Sequence, residues 1–257
     1  ALSGLAWILG LAMLPETRVF SEAGSGRRLL DLSAIQHALA NPAIGPVILT
    51  FFMASLGFGA FEVTLALFLR DTFGFGEHNS FLVFAFIGFI LMLTQGVIYR
   101  RLASRLDETT FMTLGVTFMA IGVLLLGAIN YGAAEAFHRK VLPLVATSTL
   151  GLLVLDEGPL LAASMIATPQ PPDAWFEALL YLALTAAVVG FAFLTPSAQA
   201  LVSRRTSADR QGEILGVNQS ASAMARILGP LFGVTLYKAT ESHLLPYIAG
   251  AVLLVLM

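Results

Sequence analysis

Residues 81–99 read FLVFAFIGFILMLTQGVIY, and residues 100–108 after them read RRLASRLDE. The first run carries no charge. A helix needs about 20 apolar residues to cross the hydrocarbon layer of a bilayer. No water bonds the backbone inside lipid, so a chain crosses as a helix that pairs its own amides. The run therefore predicts a membrane-spanning helix, and the arginines behind it predict a loop kept on the cytoplasmic side.

The pattern recurs in both directions. Residues 1–14, 43–69, 111–131, 174–202 and 214–237 read as further spans, and residues 244–257 open another. The chain has 57% hydrophobic residues, 12% charged ones and mean hydropathy +0.84, whereas a soluble domain carries about 25% charged residues. The expected fold is all-α, a polytopic membrane helix bundle. Net charge is −2, so no basic field points to nucleic acid. The absence of cysteine excludes disulfides and thiolate metal sites. Residues 1–14 lack the basic start of a signal peptide. Both ends fall inside apolar runs, so the sequence reads as a fragment cut at both ends.

Punctuation marks the spans. Asn41-Pro42 predicts an N-cap and a first-turn proline for the span that follows. Asp173 and Thr109 are the expected caps of the spans starting at Ala174 and Phe111. Pro196 removes one backbone bond and is expected to bend its helix. Residues 133–172 fit poorly. Asp156-Glu-Gly-Pro159 splits two apolar pieces, neither of which spans a bilayer. They read as an extramembrane insert or a shallow re-entrant pair.

Arginine sets the orientation. Arg18, Arg27, Arg28, Arg100, Arg101, Arg105, Arg204, Arg205 and Arg210 fall in the first, third and fifth loops. The alternate loops hold Arg70, Arg139, Lys140 and Lys238. The first set is therefore expected in the cytoplasm. The long first loop has a linker-like centre, Glu22-Ala-Gly-Ser-Gly26, then Leu29, Leu32, Ile35 and Leu39 at near-helical spacing. That pattern predicts a short amphipathic helix, either on the membrane surface or against the cytoplasmic end of the bundle. The loop divides one span from six, as a linker between two bundles would. Six spans allow two groups of three in opposite sense, the plan of many secondary transporters.

Several stretches resemble the major facilitator superfamily. Leu14-Pro-Glu-Thr17 before the basic loop looks like the end of its sixth helix, and Phe61-Glu-Val-Thr-Leu-Ala-Leu-Phe-Leu69 like its seventh. Gln95-Gly-Val-Ile-Tyr-Arg-Arg-Leu-Ala-Ser-Arg-Leu-Asp-Glu108 resembles its basic loop between helices eight and nine. Gly212-Glu-Ile-Leu-Gly216 with Ala225-Arg-Ile-Leu-Gly-Pro-Leu-Phe-Gly233 resembles helix eleven of its drug:proton antiporters, the tetracycline-efflux-like branch. The resemblance covers nearly the whole chain outside 133–172. It implies the end of helix six (1–14), a cytoplasmic interdomain linker (15–41) and the C-terminal six-helix half (42–257), with its last helix truncated and 133–172 a periplasmic insert. The family pattern has a glycine where Asp107 stands, and a shorter connection between helices nine and ten. The resemblance also implies a multi-pass protein of a bacterial inner membrane. Its expected partners are the lipid bilayer, a small-molecule substrate, protons and the missing N-terminal half, with no cofactor.

The interior charges are the candidate chemistry. Glu62 lies well inside a span, where a carboxylate costs about 2.5–3.5 kcal/mol on insertion scales and must face protein or a wet cavity. Ser55, Gly59 and Ala66 share its face. It reads as a protonatable site, a contact for a cationic substrate, or a structural partner for a buried positive charge. Arg226 shares a face with Gln219, Ser222, Gly229 and Gly233. Gly229, Pro230 and Gly233 are expected to allow close helix packing. The resemblance sets helices seven and eleven side by side, which makes Glu62 the expected partner of Arg226, either in an exchange of ion pairing for protonation or in helix packing alone. Gln95, Gln199, Asn218 and Gln219 either bind substrate or bond between helices. Phe58, Phe61, Phe68, Phe81, Phe84, Phe86 and Phe89 make two aromatic-rich helices, as pocket or as lipid-facing filler. The resemblance implies a cytoplasmic gate motif in Gly96, Arg100, Arg101, Arg105 and Asp107, with Glu108. The same arginines alternatively serve only to hold their loop inside.

Gly24-Ser-Gly26-Arg27 lacks the phosphate-loop spacing. The scattered His37, His78, His138 and His243 have no metal-ligand spacing, and no catalytic constellation stands out. The preferred reading is a secondary transporter, not an enzyme, exporting small organic molecules against protons. The alternatives are an importer or sugar-type facilitator of the same fold, and, from another class, a membrane scaffold or intramembrane enzyme.

Overall fold

The structure, a computed structural model, describes residues 32–152, 174–240 and 243–256, together with the helical positions Gly4, Trp7, Leu9, Gly10 and Met13. The chain divides into two compact units, Ala1–Ser33 and Ala34–Met257. Among the described residues every regular element is helical: α1 (Leu32–Ala40), α2 (Gly45–Phe73), α3 (Glu77–Leu102), α4 (Glu108–Leu152), α5 (Ala174–Arg204), α6 (Gln211–Lys238) and α7 (Leu245–Val255). Within α3, residues Thr94–Tyr99 form a π-helical segment.

The helix ends correct two expectations. Asn41 does not start α2. Its carbonyl accepts the Ile44 and Gly45 amides at 3.1 and 2.8 Å and its side chain accepts the Ala43 amide at 2.9 Å, closing a turn. The helix then begins at Gly45, and Pro46 takes the first-turn place expected of Pro42. At its far end Gly74 turns left-handed (φ 64°) and caps the carbonyls of Arg70 and Leu69.

Thr109 does not cap α4; Asp107 does. The Asp107 carbonyl accepts the Phe111 amide at 3.1 Å, and its carboxylate accepts the Thr110 hydroxyl and the amides of Thr109 and Thr110. The Thr110 hydroxyl is the main cause holding that carboxyl below its ordinary value of 3.8. A lowered folded value gives stability that is present above 3.8 and lost as pH falls through the lowered value. Asp107→Ala is therefore expected to lower the melting midpoint at neutral pH, with Asp107→Asn retaining most of it. The difference between wild type and Asp107→Ala should shrink in acid, as thermal scans against pH would record.

Residues 133–152 of the expected insert 133–172 are helical. No break separates the expected span 111–131 from them, because α4 runs on as one 45-residue helix to Leu152. Ala133, Ala134 and Ala136 are strong helix formers. At 1.5 Å per residue α4 is about 68 Å long, roughly twice the hydrocarbon thickness. Residues 153–173, including the expected cap Asp173, lie outside the described residues. Pro196 sits inside α5 without ending it.

Contacts fix the helix directions. Leu56, Gly59 and Ala60 of α2 meet Gly229 and Gly233 of α6 in rising order, so the two run parallel. Gly115 of α4 meets Gly190 of α5 while Gly122 meets Ala183 and Ala187, so those two run antiparallel. Phe86 meets Tyr181 edge-on and the Ser197 hydroxyl bonds that of Tyr99, which makes α3 parallel to α5. Tyr247 and Gly250 of α7 descend along Gly127 and Val123 of α4. Thus α2, α4 and α6 point one way and α3, α5 and α7 the other. One end of the bundle gathers Arg100, Arg101, Arg105, Arg204, Arg205 and Arg210. There Arg204 pairs with Glu108 at 3.0 Å, and Arg205 donates to the Ala43 carbonyl at 2.8 Å. Arg70 and Lys238 stand at the other end.

Large apolar side chains fill the centre, Phe51, Leu65 and Phe68 from α2, Met119 and Leu126 from α4, and Leu180 and Leu184 from α5. Four helical stretches among the described residues are long and apolar enough to cross a membrane: Gly45–Phe73, Glu77–Leu102, Glu108–Gly132 and Trp175–Arg204. The expected span 214–237 is not among them. Its helix α6 is 28 residues long but carries Asn218, Gln219, Ser220, Ser222 and Arg226. Helix α7 is apolar but only 11 residues long.

Candidate functional site

The polar helix α6 is also among the most closely packed. A Cβ on Gly229 would stand 2.8 Å from the Leu56 carbonyl oxygen and 2.9 Å from the Ala60 nitrogen. One on Gly233 would stand 2.7 Å from the Ala60 oxygen. The Pro230 ring lies 3.7 Å from the Cβ position of Gly59. Small residues thus let the α2 and α6 backbones touch. Ile214, Asn218, Ser222, Ala225, Gly229, Gly233 and Tyr237 form the buried side of α6. Gln219, Ser220 and Arg226 are exposed, as is Glu62 on α2.

Glu62 and Arg226 do not form the expected ion pair; neither has a hydrogen-bond or ion-pair partner among the described residues. The crossing explains why. Gly59 and Gly229 stand level, Glu62 is three residues beyond one, and Arg226 is three residues before the other. In parallel helices this separates them by about 9 Å along the axis. Two opposite charges therefore stand exposed and unneutralised on adjacent helices.

The neutral polar residues divide. Asn218 is fully buried, and neither its amide nitrogen nor its oxygen finds a partner; Ser55 and Ser222 are likewise buried with unpaired hydroxyls. Gln219 is exposed with Arg226. Gln95, half-buried on the π segment of α3, and Gln199, half-buried on α5, make no hydrogen bond to this group. Gly96 is exposed, with open space where a Cβ would project.

The aromatics do not gather into one pocket. Phe58 stacks on Phe191 with centroids 3.9 Å apart, Phe68 packs edge-on to Phe73 and Tyr247, and Phe86 to Tyr181. Phe81 and Phe89 are exposed.

In the motif at the basic end, Arg100, Arg101 and Arg105 are exposed and make no ion pair among the described residues. Asp107 is committed to capping. Glu108 pairs with Arg204 through both carboxylate oxygens at 3.0 and 3.2 Å. The motif's acidic members thus tie α4 to itself and to α5.

A second group escaped sequence reasoning. At the far end Tyr237 donates to Asp71 at 3.2 Å, and Arg70 pairs with Asp71 at 2.9 Å. His243 stacks on the Tyr237 ring and sits 2.6 Å from its carbonyl. The one available signal was the Arg70-Asp71 pair at the end of a span.

No family model matches the chain, and no solved structure matches it. Among curated proteins it is similar to solute carrier family 22 member 18 of Rattus norvegicus, 23% identical over 248 residues, covering 95% of this chain and 49% of that protein. The Mus musculus protein of the same name is 24% identical over 218 residues, covering 85% of this chain and 43% of that one. The chain spans about half the length of the curated relatives it matches. With several apolar helices of spanning length, this is a multi-pass helical membrane protein, and it is similar to curated solute carriers.

Proposed function

We propose that the chain is one half of a major facilitator-type secondary transporter, whose α2–α6 surface lines a pathway for small organic molecules, coupled to protons in the direction of efflux. The observation that carries this is the exposure of Glu62 and Arg226, unpaired, on two tightly packed helices of a membrane-type bundle. Charges at that depth cannot face acyl chains, so this face meets water or another part of the protein. A wet surface bearing one carboxylate, one guanidinium and Gln219 can bind a polar or charged solute and can take up a proton. A scaffold needs neither charge. The relatives' name, solute carrier, supports movement of a solute, and their doubled length supports a second half across the pathway. The arginine-rich end is placed in the cytoplasm, with the protein in a cytoplasmic membrane.

This chain has no cysteine of its own, so the test is clean once any cysteine elsewhere in the full-length protein is replaced. Single substitutions Glu62→Cys, Gln219→Cys and Arg226→Cys, in the full-length protein in membranes, should react with a charged, membrane-impermeant thiol reagent. Leu124→Cys and Val252→Cys, exposed apolar positions on α4 and α7, should react at least about tenfold more slowly, because a thiolate forms only where water reaches it. Equal rates in the two sets would sink the pathway reading and favour a scaffold.

A further inference from the structure

A cavity away from the charged face opens at the basic end of the bundle. It is a cleft of about 240 Å³ between the α1–α2 turn, the α5–α6 connection and the first turn of α6. Its floor is apolar, made by the buried Ala38, Ile44 and Ile214. Arg205, Arg210, His37 and Asn41 stand on its rim, and no carboxylate lines it.

The rim offers donors. Arg205 gives one N–H to the Ala43 carbonyl at 2.8 Å, which ties the turn before α2 to the end of α5 and fixes the guanidinium over the cleft. Its other N–H groups make no bond among the described residues. Arg210 is steadied by Glu213, through Nε at 3.3 Å and Nη2 at 3.0 Å, with Nη1 left over. Asn41 uses its side-chain oxygen on the Ala43 amide, which leaves its NH2 group to donate. Asp209 accepts the Ser207 hydroxyl and its charge also acts on Arg210. The positive end of the α6 dipole adds to the field. Two planar guanidinium forks beside an amide donor suit an anion with several acceptor oxygens.

Depth narrows the chemistry. The lining residues directly precede Gly45 and directly follow Arg204, the two span ends. The cleft therefore stands where headgroups begin, its charged rim at headgroup level above an apolar floor. We propose that this cleft is a binding site for a phosphate group, carried by an anionic lipid headgroup or free in solution, gripped by Arg205 and Arg210.

The test is a binding measurement on the full-length protein in neutral detergent, independent of transport. Its probes are phosphatidylglycerol, diacylglycerol with the same acyl chains, and inorganic phosphate, followed by native mass spectrometry and calorimetry. Phosphatidylglycerol should be retained and diacylglycerol not. Arg205→Gln/Arg210→Gln should weaken retention at least about tenfold, while Arg70→Gln/Lys238→Gln, the same charge change at the opposite end, should leave it unaltered. Because Arg205 also holds the Ala43 turn, His37→Glu provides a second route. It keeps both arginines, adds a negative charge to an exposed rim position, and should weaken retention as well. If inorganic phosphate binds as tightly as the lipid and competes with it, the same site serves a soluble ligand. Retention unchanged in both cleft variants, or diacylglycerol held as firmly as phosphatidylglycerol, would overturn the site.

Discussion

Gly190→Ala is expected to be among the most damaging single-methyl additions in the chain. A Cβ there would stand 2.5 Å from both the Gly115 carbonyl oxygen and the Met119 nitrogen, backbone atoms that cannot rotate away. The α4 and α5 helices would have to separate along the most extensive interface in the bundle. Gly122 faces the same limit against the Ala187 nitrogen and the Ala183 oxygen, so the seam could not absorb the shift by sliding. Overpacking of this kind costs about 1–3 kcal/mol or more. Alanine's advantage over glycine in a helix, about 0.5–1 kcal/mol, opposes it and loses. Gly88→Ala supplies the contrast. That position is exposed on α3 with nothing within 4 Å of the new methyl, so the substitution should be neutral or slightly stabilising. Thermal unfolding and gel filtration in detergent would check both. If Gly190→Ala melted at or above wild type, the α4–α5 crossing would be wrong.

That seam also shows the limits of the sequence reading. The α6 glycines stood beside Arg226 and drew attention; Gly115, Gly122 and Gly190 lie in uniformly apolar runs, where nothing tells a contact glycine from a lipid-facing one such as Gly88. Their only mark was spacing, Gly115 to Gly122 against Ala183, Ala187 and Gly190, and it becomes meaningful only once the two helices are known to pair. Hydropathy located helices well because burial of the backbone in lipid is a property of single segments. Helix ends were harder, because a cap depends on which of several adjacent polar residues reaches the free amides. Asp107 accepts from Thr110 and two amides, and a list of good caps could not rank it above Thr109. The continuation of the helix into residues 133–152 was not legible for a related reason: polarity marks where an apolar span stops, and the helix does not have to stop with it.

Glu62 and Arg226 were visible as rare charges in apolar runs, but their separation was not, since it depends on Gly59 and Gly229 standing level. At about 9 Å or more, with an effective dielectric constant near 20, their attraction is at most about 2 kcal/mol.

Glu62→Gln should accordingly separate binding from coupling. Glutamine has nearly the shape of the protonated acid and cannot exchange a proton, so the full-length protein should fold and still exchange solute across a membrane. Proton-driven accumulation should vanish. With one proton moved per solute, a gradient of about one pH unit supplies about 1.4 kcal/mol, enough for roughly tenfold accumulation. The glutamine protein should stop at equal concentrations on both sides, while Glu62→Asp restores part of the gradient. A role in packing alone predicts a different outcome, a lower melting midpoint with accumulation per folded molecule unchanged, and Glu62 is exposed with no partner among the described residues to lose. Proteoliposomes with an imposed pH gradient distinguish the two. Wild-type accumulation by Glu62→Gln would remove the carboxylate from the proton path and leave Arg226 and Gln219 as a solute-binding surface without coupling.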